Sequence, residues 1–374
     1  MADQPFFRVH KSALQPALNA VFEAVDTRST IPILENVLLC PKGNELLLRG
    51  TDLSVEVEAA CELLDEGLQT PVTMSGEGLR QIVRNLPENA EITFSPGAFP
   101  DQIKIQSGRS RFTLRSLPEK DFPSIAEKVE GDPFDIEIGP LIDALGRVSY
   151  AIKDDETRFY LSGACIHPVG EDGLAVVGCD GHNLAVVRLS VGQALVFRPI
   201  IVPLKMVKAA RRLFGGSKGR ASVTVADAML RISCAGVTVI SKLVDGQFPD
   251  YNRIIPSEGN SPVIAPVLTL KAAVSRVCIV ANDLEKDTIR LQCESGELRI
   301  SMKSTDGEEA TEDMPVDYDG PPFEIGFNGK YMTHVLGSIG TQDVAIHVTD
   351  AGSPGLFRPT IDRDEHFVLM PRRM

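Results

Sequence analysis

The sequence predicts an α+β protein of three repeated domains, each carrying helices on one face of antiparallel sheets. Three observations predict it. A strand, a short turn holding an Asp and a return strand recur at a nearly constant interval. Strand-like segments alternate apolar and polar residues, and six other stretches space their apolar residues as helices do. The length of 374 residues separately suggests two or three domains.

The repeated pattern reads Glu45–Val57 in the first third, Gly173–Val186 in the second and Gly296–Glu308 in the last. Its marker aspartates Asp52, Asp180 and Asp306 stand about 126 to 128 residues apart, and one shared turn role is expected for them. A second block keeps this register. Arg111–Pro123 parallels Val239–Pro249, each ending in Phe-Pro, with Phe122 and Phe248 about 126 residues apart. A third copy of that block would fall at the C-terminus, where the sequence instead reads Phe367–Met374. Boundaries follow at 1–126, 127–256 and 257–374, where Pro, Gly and charged residues cluster.

Alternation is clearest in Ser222–Ile232 and in Ile103–Leu114, the latter turning at Ser107-Gly108. Helices are expected at 10–25, 76–86, 139–152, 203–214, 269–283 and 328–339. In the fourth, Leu204, Val207, Ala210 and Phe214 form one apolar stripe. Ser75 and Asn328 stand where helix N-caps belong.

With 38 Lys+Arg against 51 Asp+Glu the net charge is −13, which taken alone argues against a nucleic-acid partner. Its distribution argues otherwise. The six helices carry Lys11, Arg80, Arg84, Arg147, Lys205, Lys208, Arg211, Arg212, Lys271, Arg276 and Lys330 against Glu23, Glu77, Asp143 and Asp283. That is about +7 on the helices and about −20 elsewhere. Merely solvated helix faces would carry Glu as freely as Lys, so these helices read as a phosphate-attracting surface without base readout. No basic segment is interleaved with aromatics, which disfavours single-strand binding.

Hydrophobic residues at 43% and charged residues at 24% exclude a disordered chain. The seven cysteines (Cys40, Cys61, Cys165, Cys179, Cys234, Cys278 and Cys293) form no C-x-x-C pair, which speaks against a disulfide framework or a cysteine zinc site. The N-terminus lacks the features of a signal peptide, and no apolar run reaches the roughly 20 residues that span a bilayer. A cytoplasmic protein with no membrane partner is expected.

Cys179-Asp180-Gly181-His182 invites a Cys/His nucleophile, making a hydrolase the enzyme alternative. The segment reads better as a strand end and turn whose Asp recurs, with no orienting third group. Phe214–Arg220 lacks the spacing of a phosphate loop and follows a helix, whereas such a loop follows a strand. His10, His167, His182, His334, His347 and His366 are dispersed, so neither a metal site nor a cofactor is expected.

Several motifs nonetheless share one known order. They are Thr30–Leu39 (TIPILENVLL), Leu48–Leu53 (LRGTDL), Ser107–Phe112 (SGRSRF), Arg158–Gly163 (RFYLSG), Asp180-Gly-His, Ser241–Tyr251 (SKLVDGQFPDY), Ile325–Asn328 (IGFN) and the terminal Met370-Pro-Arg-Arg. In these the chain resembles, over essentially its full length, the bacterial DNA polymerase III β subunit family, the sliding clamps. The resemblance implies three clamp domains per protomer and a head-to-tail homodimer closing into a ring, with helices lining the hole. It implies a non-catalytic processivity factor that encircles double-stranded DNA without sequence specificity. The implied partners are the DNA polymerase III core, the clamp loader, other polymerases and repair proteins, all tethered through short linear motifs.

By the same resemblance Arg28 matches a position that contacts duplex DNA at the ring face, and Phe159 and Tyr160 match an aromatic pair nearby. A polar DNA-contacting position just before that pair is Asp155 here, a departure. A motif pocket between the second and third domains would be built from Leu161, Cys179, Gly181, His182, Leu184, Pro249, Arg253, Ile254, Asn328, Tyr331, Val368, Met370, Pro371 and Arg373. An apolar cleft with a few polar anchors suits a short extended peptide. Asn183 stands where the family often has Arg, and Arg372 where it often has an apolar residue. For Leu161, Val368 and Met370 an ordinary core role is the alternative. Charge suggests the dimer contact, with Arg109 and Arg111 meeting Glu308, Glu309, Glu312 and Asp313. A peptide-binding scaffold that never encircles DNA is the remaining alternative.

Overall fold

The structure is a computed structural model describing residues 4–65, 67–125, 129–153, 155, 157–259, 261–281, 288–361 and 364–373. One order of ten elements recurs three times. The first copy runs β1 (Phe7–His10), α1 (Lys11–Phe22), β2 (Asn36–Lys42), β3 (Glu45–Thr51), β4 (Val55–Glu62), β5 (Val72–Ser75), α2 (Gly76–Asn85), β6 (Glu91–Pro96), β7 (Gln102–Ser107) and β8 (Ser110–Arg115). The second runs β9 (Phe134–Glu137), α3 (Ile138–Val148), β10 (Gly163–Val169), β11 (Gly173–Cys179), β12 (Asn183–Ser190), β13 (Ile200–Pro203), α4 (Leu204–Phe214), β14 (Arg220–Val225), β15 (Met229–Cys234) and β16 (Val237–Lys242). The third runs β17 (Val263–Pro266), α5 (Val267–Val277), β18 (Thr288–Glu294), β19 (Glu297–Lys303), β20 (Glu309–Pro315), β21 (Phe323–Asn328), α6 (Gly329–Ser338), β22 (Asp343–His347), β23 (Gly355–Pro359) and β24 (Glu365–Leu369).

All six expected helices form, with shifted ends. The fifth starts at Val267 and its α-helical part stops at Val277, while the last residues expected for it, 282 and 283, lie outside the described residues. The third passes after Val148 into a single 3₁₀ turn, Ser149–Ala151. Ser75 Oγ accepts from the Gly78 N–H at 3.1 Å and Asn328 Oδ1 from the Tyr331 N–H at 2.9 Å, so both expected caps satisfy an otherwise orphaned helix donor.

Among the described residues every pairing in the sheets is antiparallel, and the strands form four sheets. Two have four strands, in the orders β1-β6-β7-β8 and β20-β19-β18-β21. Two have eight, β5-β2-β3-β4-β16-β15-β14-β9 and β13-β10-β11-β12-β24-β23-β22-β17. The eight-stranded sheets arise because β4 pairs with β16 and β12 with β24, so the backbone ladder runs from one repeat into the next. The chain accordingly divides into two compact units, Met1–Gly139 with Lys208–Leu243, and Pro140–Val207 with Val244–Met374. Each holds one eight-stranded and one four-stranded sheet. Within the first unit α1 buries Leu14, Leu18 and Val21 over β3 and β4 and packs against α2; within the second, α5 packs against α6. The expected boundary at 126/127 falls on residues outside the described set.

The repeated turn is a carboxylate-centred one. Asp52 Oδ1 accepts from the N–H groups of Ser54 (2.9 Å) and Val55 (2.7 Å). Asp180 Oδ1 accepts from those of His182 (2.8 Å) and Asn183 (2.7 Å). In the third copy the expected marker Asp306 is not the equivalent residue. Ser304 is: its N–H closes the turn on the Glu308 carbonyl at 2.8 Å as Asp52 and Asp180 close theirs, and its Oγ accepts from the Glu308 N–H at 3.1 Å. The third loop is one residue longer, and the Asp-Gly pair that looked equivalent sits at its tip.

Gly50 and Gly178 fix the approach of helix to strand. A Cβ on Gly178 would lie 2.5 Å from the Val148 carbonyl oxygen, and one on Gly50 would collide with that of Val21. Gly50→Ala and Gly178→Ala should each lower stability by about 1–3 kcal/mol, read as a lower urea midpoint. Gly139→Ala, in α3 where a Cβ would meet only the Ser217 carbonyl oxygen at an ordinary contact distance of 3.7 Å, should be neutral or stabilising.

Candidate functional site

The strongest basic surface is on α4. Lys205, Lys208, Arg211 and Arg212 are all exposed, while Met206, Val207, Ala209, Ala210 and Phe214 are buried. Helical periodicity therefore sorts the cations onto one face. Arg212 donates to Glu23 Oε2 at 2.8 Å, just past the end of α1. On α2, Arg84 is exposed, and the Arg80 guanidinium stacks 4.1 Å from the centroid of the Phe22 ring. Arg28 is exposed in the loop after α1.

Other helix cations have partners within the chain, and of these Arg147 and Lys11 are largely buried while Arg276 remains exposed. Arg147 Nη1 reaches both carboxylate oxygens of Glu365 (2.8 and 2.7 Å), and its Nε faces Asp143 at 2.9 Å. It is a half-buried strut from α3 to β24 that lies against Gly340. Arg276 Nε donates to Glu312 on β20 at 2.9 Å. Lys271 lies over Gly337 of α6. Lys11 is 2% exposed, and its ammonium donates to the Leu86 carbonyl at 2.7 Å and to Glu88 at 2.9 Å, capping the end of α2.

Asp155 is also a structural group. Its carboxylate accepts from the N–H groups of Thr157 (2.9 Å) and Arg158 (3.0 Å) and from the Arg158 guanidinium (2.9 and 3.1 Å). These bonds, the Arg158 N–H first, hold its pKa down at about 2. They order the approach to the 3₁₀ turn Phe159–Leu161, which leaves the Phe159 ring 51% exposed and edge-on to Tyr160, 5.9 Å between centroids.

The expected pocket residues converge within the second unit. β12–β24 pairing sets Leu184 opposite Val368, and these two join Leu161, Cys179, Cys165 and Tyr251 in one buried apolar cluster. Beyond the ladder the Met370 N–H reaches the His182 carbonyl at 2.9 Å, carrying the chain end along the turn. The exposed edge holds Gly181, His182, Pro249, Arg253, Ile254, Met370 and Arg373. His182 stacks on Tyr331, 5.8 Å between centroids and 25° between planes, and Asn328 caps the helix that carries Tyr331. Pro371 is half-buried. Leu161, Leu184 and Val368 are thus both core and floor, so the two roles expected for them are not exclusive. Met370, 39% exposed, is not core.

Two contributors, Arg158 and Tyr251, carry no signal of their own in the sequence, and the departure at Asn183 acquires its role from the structure. Arg158 lies over Gly181, whose φ of 89° and missing Cβ make room for the guanidinium. Tyr251 anchors the Pro249–Ile254 segment through its hydroxyl to His167 Nε2 at 2.9 Å. Asn183 is 3% exposed and its Nδ2 donates to Asp180 Oδ2 at 2.9 Å, so this departure from the family pattern braces the turn and offers a peptide no charge. The first two lie inside quoted motifs, but only partner geometry gives them a role.

The charges expected at a dimer contact occupy edge strands. β8, with Arg111, and Arg109 beside it bound one four-stranded sheet, and β20, with Glu309, Glu312 and Asp313, bounds the other. The acidic group is less bare than its sequence suggests. Glu309 pairs with Lys303, Glu312 with Arg276 and Asp313 with Arg299 (2.7 Å), and these bonds lower all three pKa values.

The hydrolase alternative finds no support in this geometry. Burial pushes the Cys179 thiol up from its ordinary pKa, against an N–H from Gly181. The Asp180 carboxylate is occupied by the turn, and His182 faces Tyr331. Among the described residues no group of three or more His, Cys, Asp or Glu could hold a metal ion, and no helix is long and apolar enough to cross a membrane.

Two outcomes follow. In the folded protein Cys179 should stay unlabelled by iodoacetamide at mildly alkaline pH and react only after unfolding, as mass spectrometry would show. Because the folded pKa of Asp155 is depressed, its contribution is present above the ordinary carboxylate range and is lost as pH falls through about 2. Amide protection at Thr157 and Arg158 should therefore survive ordinary carboxylate titration and disappear only near that value.

Comparison with known proteins accounts for the whole chain. Residues 5–126, 135–250 and 252–373 match the N-terminal, central and C-terminal domains of the DNA polymerase III beta subunit. The beta sliding clamp of Caulobacter vibrioides is 34% identical over 98% of this chain and 99% of that protein; that of Escherichia coli K12 is 32% identical over 98% and 100%. The Pseudomonas aeruginosa sliding clamp bound to griselimycin superposes with a TM-score of 0.93 at 34% identity, covering all of both chains. A Caulobacter crescentus DNA polymerase sliding clamp gives 0.91 at 33% identity, over 98% of this chain and 99% of that one. The chain belongs to the DNA polymerase III beta subunit family, the beta sliding clamps.

Proposed function

We propose that the protein is a DNA sliding clamp: a homodimeric, non-catalytic processivity factor that encircles duplex DNA in the cytoplasm and tethers replication and repair proteins through a peptide pocket. One observation carries the assembly. Every repeat contributes two four-stranded sets, whose equivalent outer strands are β4 and β8, β12 and β16, and β20 and β24, and the chain joins β4 to β16 and β12 to β24. Of these six, β8 and β20 are the two left over. Pairing β20 of one protomer with β8 of the next by the same rule closes a head-to-tail ring. The hairpin correspondences put Asp313 opposite Arg109 and set Arg111 diagonal to Glu309 and Asp313. The ladder supplies binding energy, and the charges favour the correct register. The repeats are assigned to domains 1–126, 127–256 and 257–374.

Duplex contact is assigned to Arg28, Arg84, Lys205, Lys208, Arg211 and Arg212, and also to Phe159 and Tyr160. Arg147, Arg276 and Asp155 are assigned structural roles. Peptide binding is assigned to the apolar floor around Leu161, Leu184 and Val368 with its rim at His182, Arg253, Tyr331 and Met370. A scaffold that never encircles DNA would share the pocket but not topological linkage.

After loading, the protein should remain on circular plasmid and slide off the linearised form; equal loss from both would defeat the ring. Arg109→Glu combined with Arg111→Glu should raise the monomer fraction in sedimentation. Lys208→Ala should weaken attraction to all sequences alike and reduce the salt slope by about one.

A further inference from the structure

The turn that builds the pocket has a counterpart in the first unit, residue for residue. Thr51–Glu56 there and Cys179–Leu184 in the second unit close on the same aspartate bonds. The Lys242 N–H reaches the Ser54 carbonyl at 2.9 Å, just as that of Met370 reaches His182. Glu56 faces Ile240 in the ladder where Leu184 faces Val368. Phe122-Pro-Ser-Ile125 takes the place of Phe248-Pro-Asp-Tyr251. The rim remains apolar. Leu53, in the place of Gly181, holds a φ of 73° with 36% of its surface exposed, and Ile31 is 46% exposed. A leucine in left-handed backbone that also faces water is unfavourable on both counts.

One residue breaks the correspondence. Where the pocket has Leu184, the counterpart has Glu56, with 0% exposure. Its Oε2 accepts from the Ile125 N–H at 2.7 Å and its Oε1 from the Ser124 hydroxyl at 3.2 Å. Lifting that segment would strand a buried carboxylate, which strongly disfavours opening. A leucine side chain makes no such bonds, so around Leu184 the corresponding wall is held by packing and by the Tyr251 hydroxyl.

We propose that Glu56 sets the number of peptide sites per protomer: the first repeat junction is a second cleft, for an extended peptide with an apolar anchor, held shut by this carboxylate on Ser124 and Ile125. The inference rests on the assignment of the Leu184 pocket as a peptide site. The test is calorimetric titration of the full-length protein with one peptide selected by display on the wild type. Wild type and Glu56→Gln, which keeps the acceptor oxygen, should bind one peptide per protomer, Glu56→Leu two and Leu184→Glu none. Amide exchange at Ile125 should accelerate at least tenfold in Glu56→Leu, with Glu56→Met as the second variant if leucine impairs folding. A folded Glu56→Leu or Glu56→Met protein that still binds one peptide, or that keeps Ile125 protected, overturns the proposal. Failure of the wild type to bind any peptide overturns the pocket assignment instead.

Discussion

Antiparallel backbone pairing between the edge strands of successive repeats is the constraint on which the rest depends. A four-stranded sheet with a bare edge exposes unpaired N–H and C=O groups and invites uncontrolled association. Of the six strands β4, β8, β12, β16, β20 and β24, which hold equivalent edge positions in the repeats, this chain pairs four internally, β4 with β16 and β12 with β24. The compact units therefore cut through the central repeat, since the ladders bind its two halves to different neighbours. The pocket follows from the same pairing. It forms where the β12–β24 ladder runs out into the Asp180 turn and the terminal residues continue beside it.

Much of the fold was legible because it rests on periodicity. Alternation and helical stripes report burial, and burial follows from the sheets and helices that all three copies share. The failures have a common cause in partners distant along the chain. Arg147 looks like any helix cation until Glu365, 218 residues on, accepts both of its bonds. Lys11 looks exposed by type, yet the carbonyls at the end of α2 enclose it. Asp306 shares only the letters of the repeat, whereas the turn is defined by which side chain accepts from the loop backbone, and there a serine does so.

The pocket was legible only through family resemblance. Leu161, Leu184 and Val368 carry the same hydrophobic signature as any core residue, and nothing in their spacing marks a binding floor. Arg158 shows why the rest was hidden. Its placement requires the Asp155 carboxylate to orient the guanidinium and Gly181 to leave space for it, two conditions met only in three dimensions.

The charge of −13 acquires its meaning from the same bookkeeping of partners. An ion pair and burial remove Arg147 from the helix surface and burial removes Lys11, Arg276 stays exposed but tied to Glu312, and the exposed cations of α4 are what remain most concentrated. Screening over roughly 8 Å at physiological salt means that DNA responds to such nearby cations far more than to net charge. A guanidinium already held by two carboxylate bonds cannot follow a moving phosphate, whereas flexible lysine ammonium groups exchange partners easily. For a clamp retained by topology, weak and exchangeable attraction is the useful kind. Tighter contact would add little to retention and would oppose sliding.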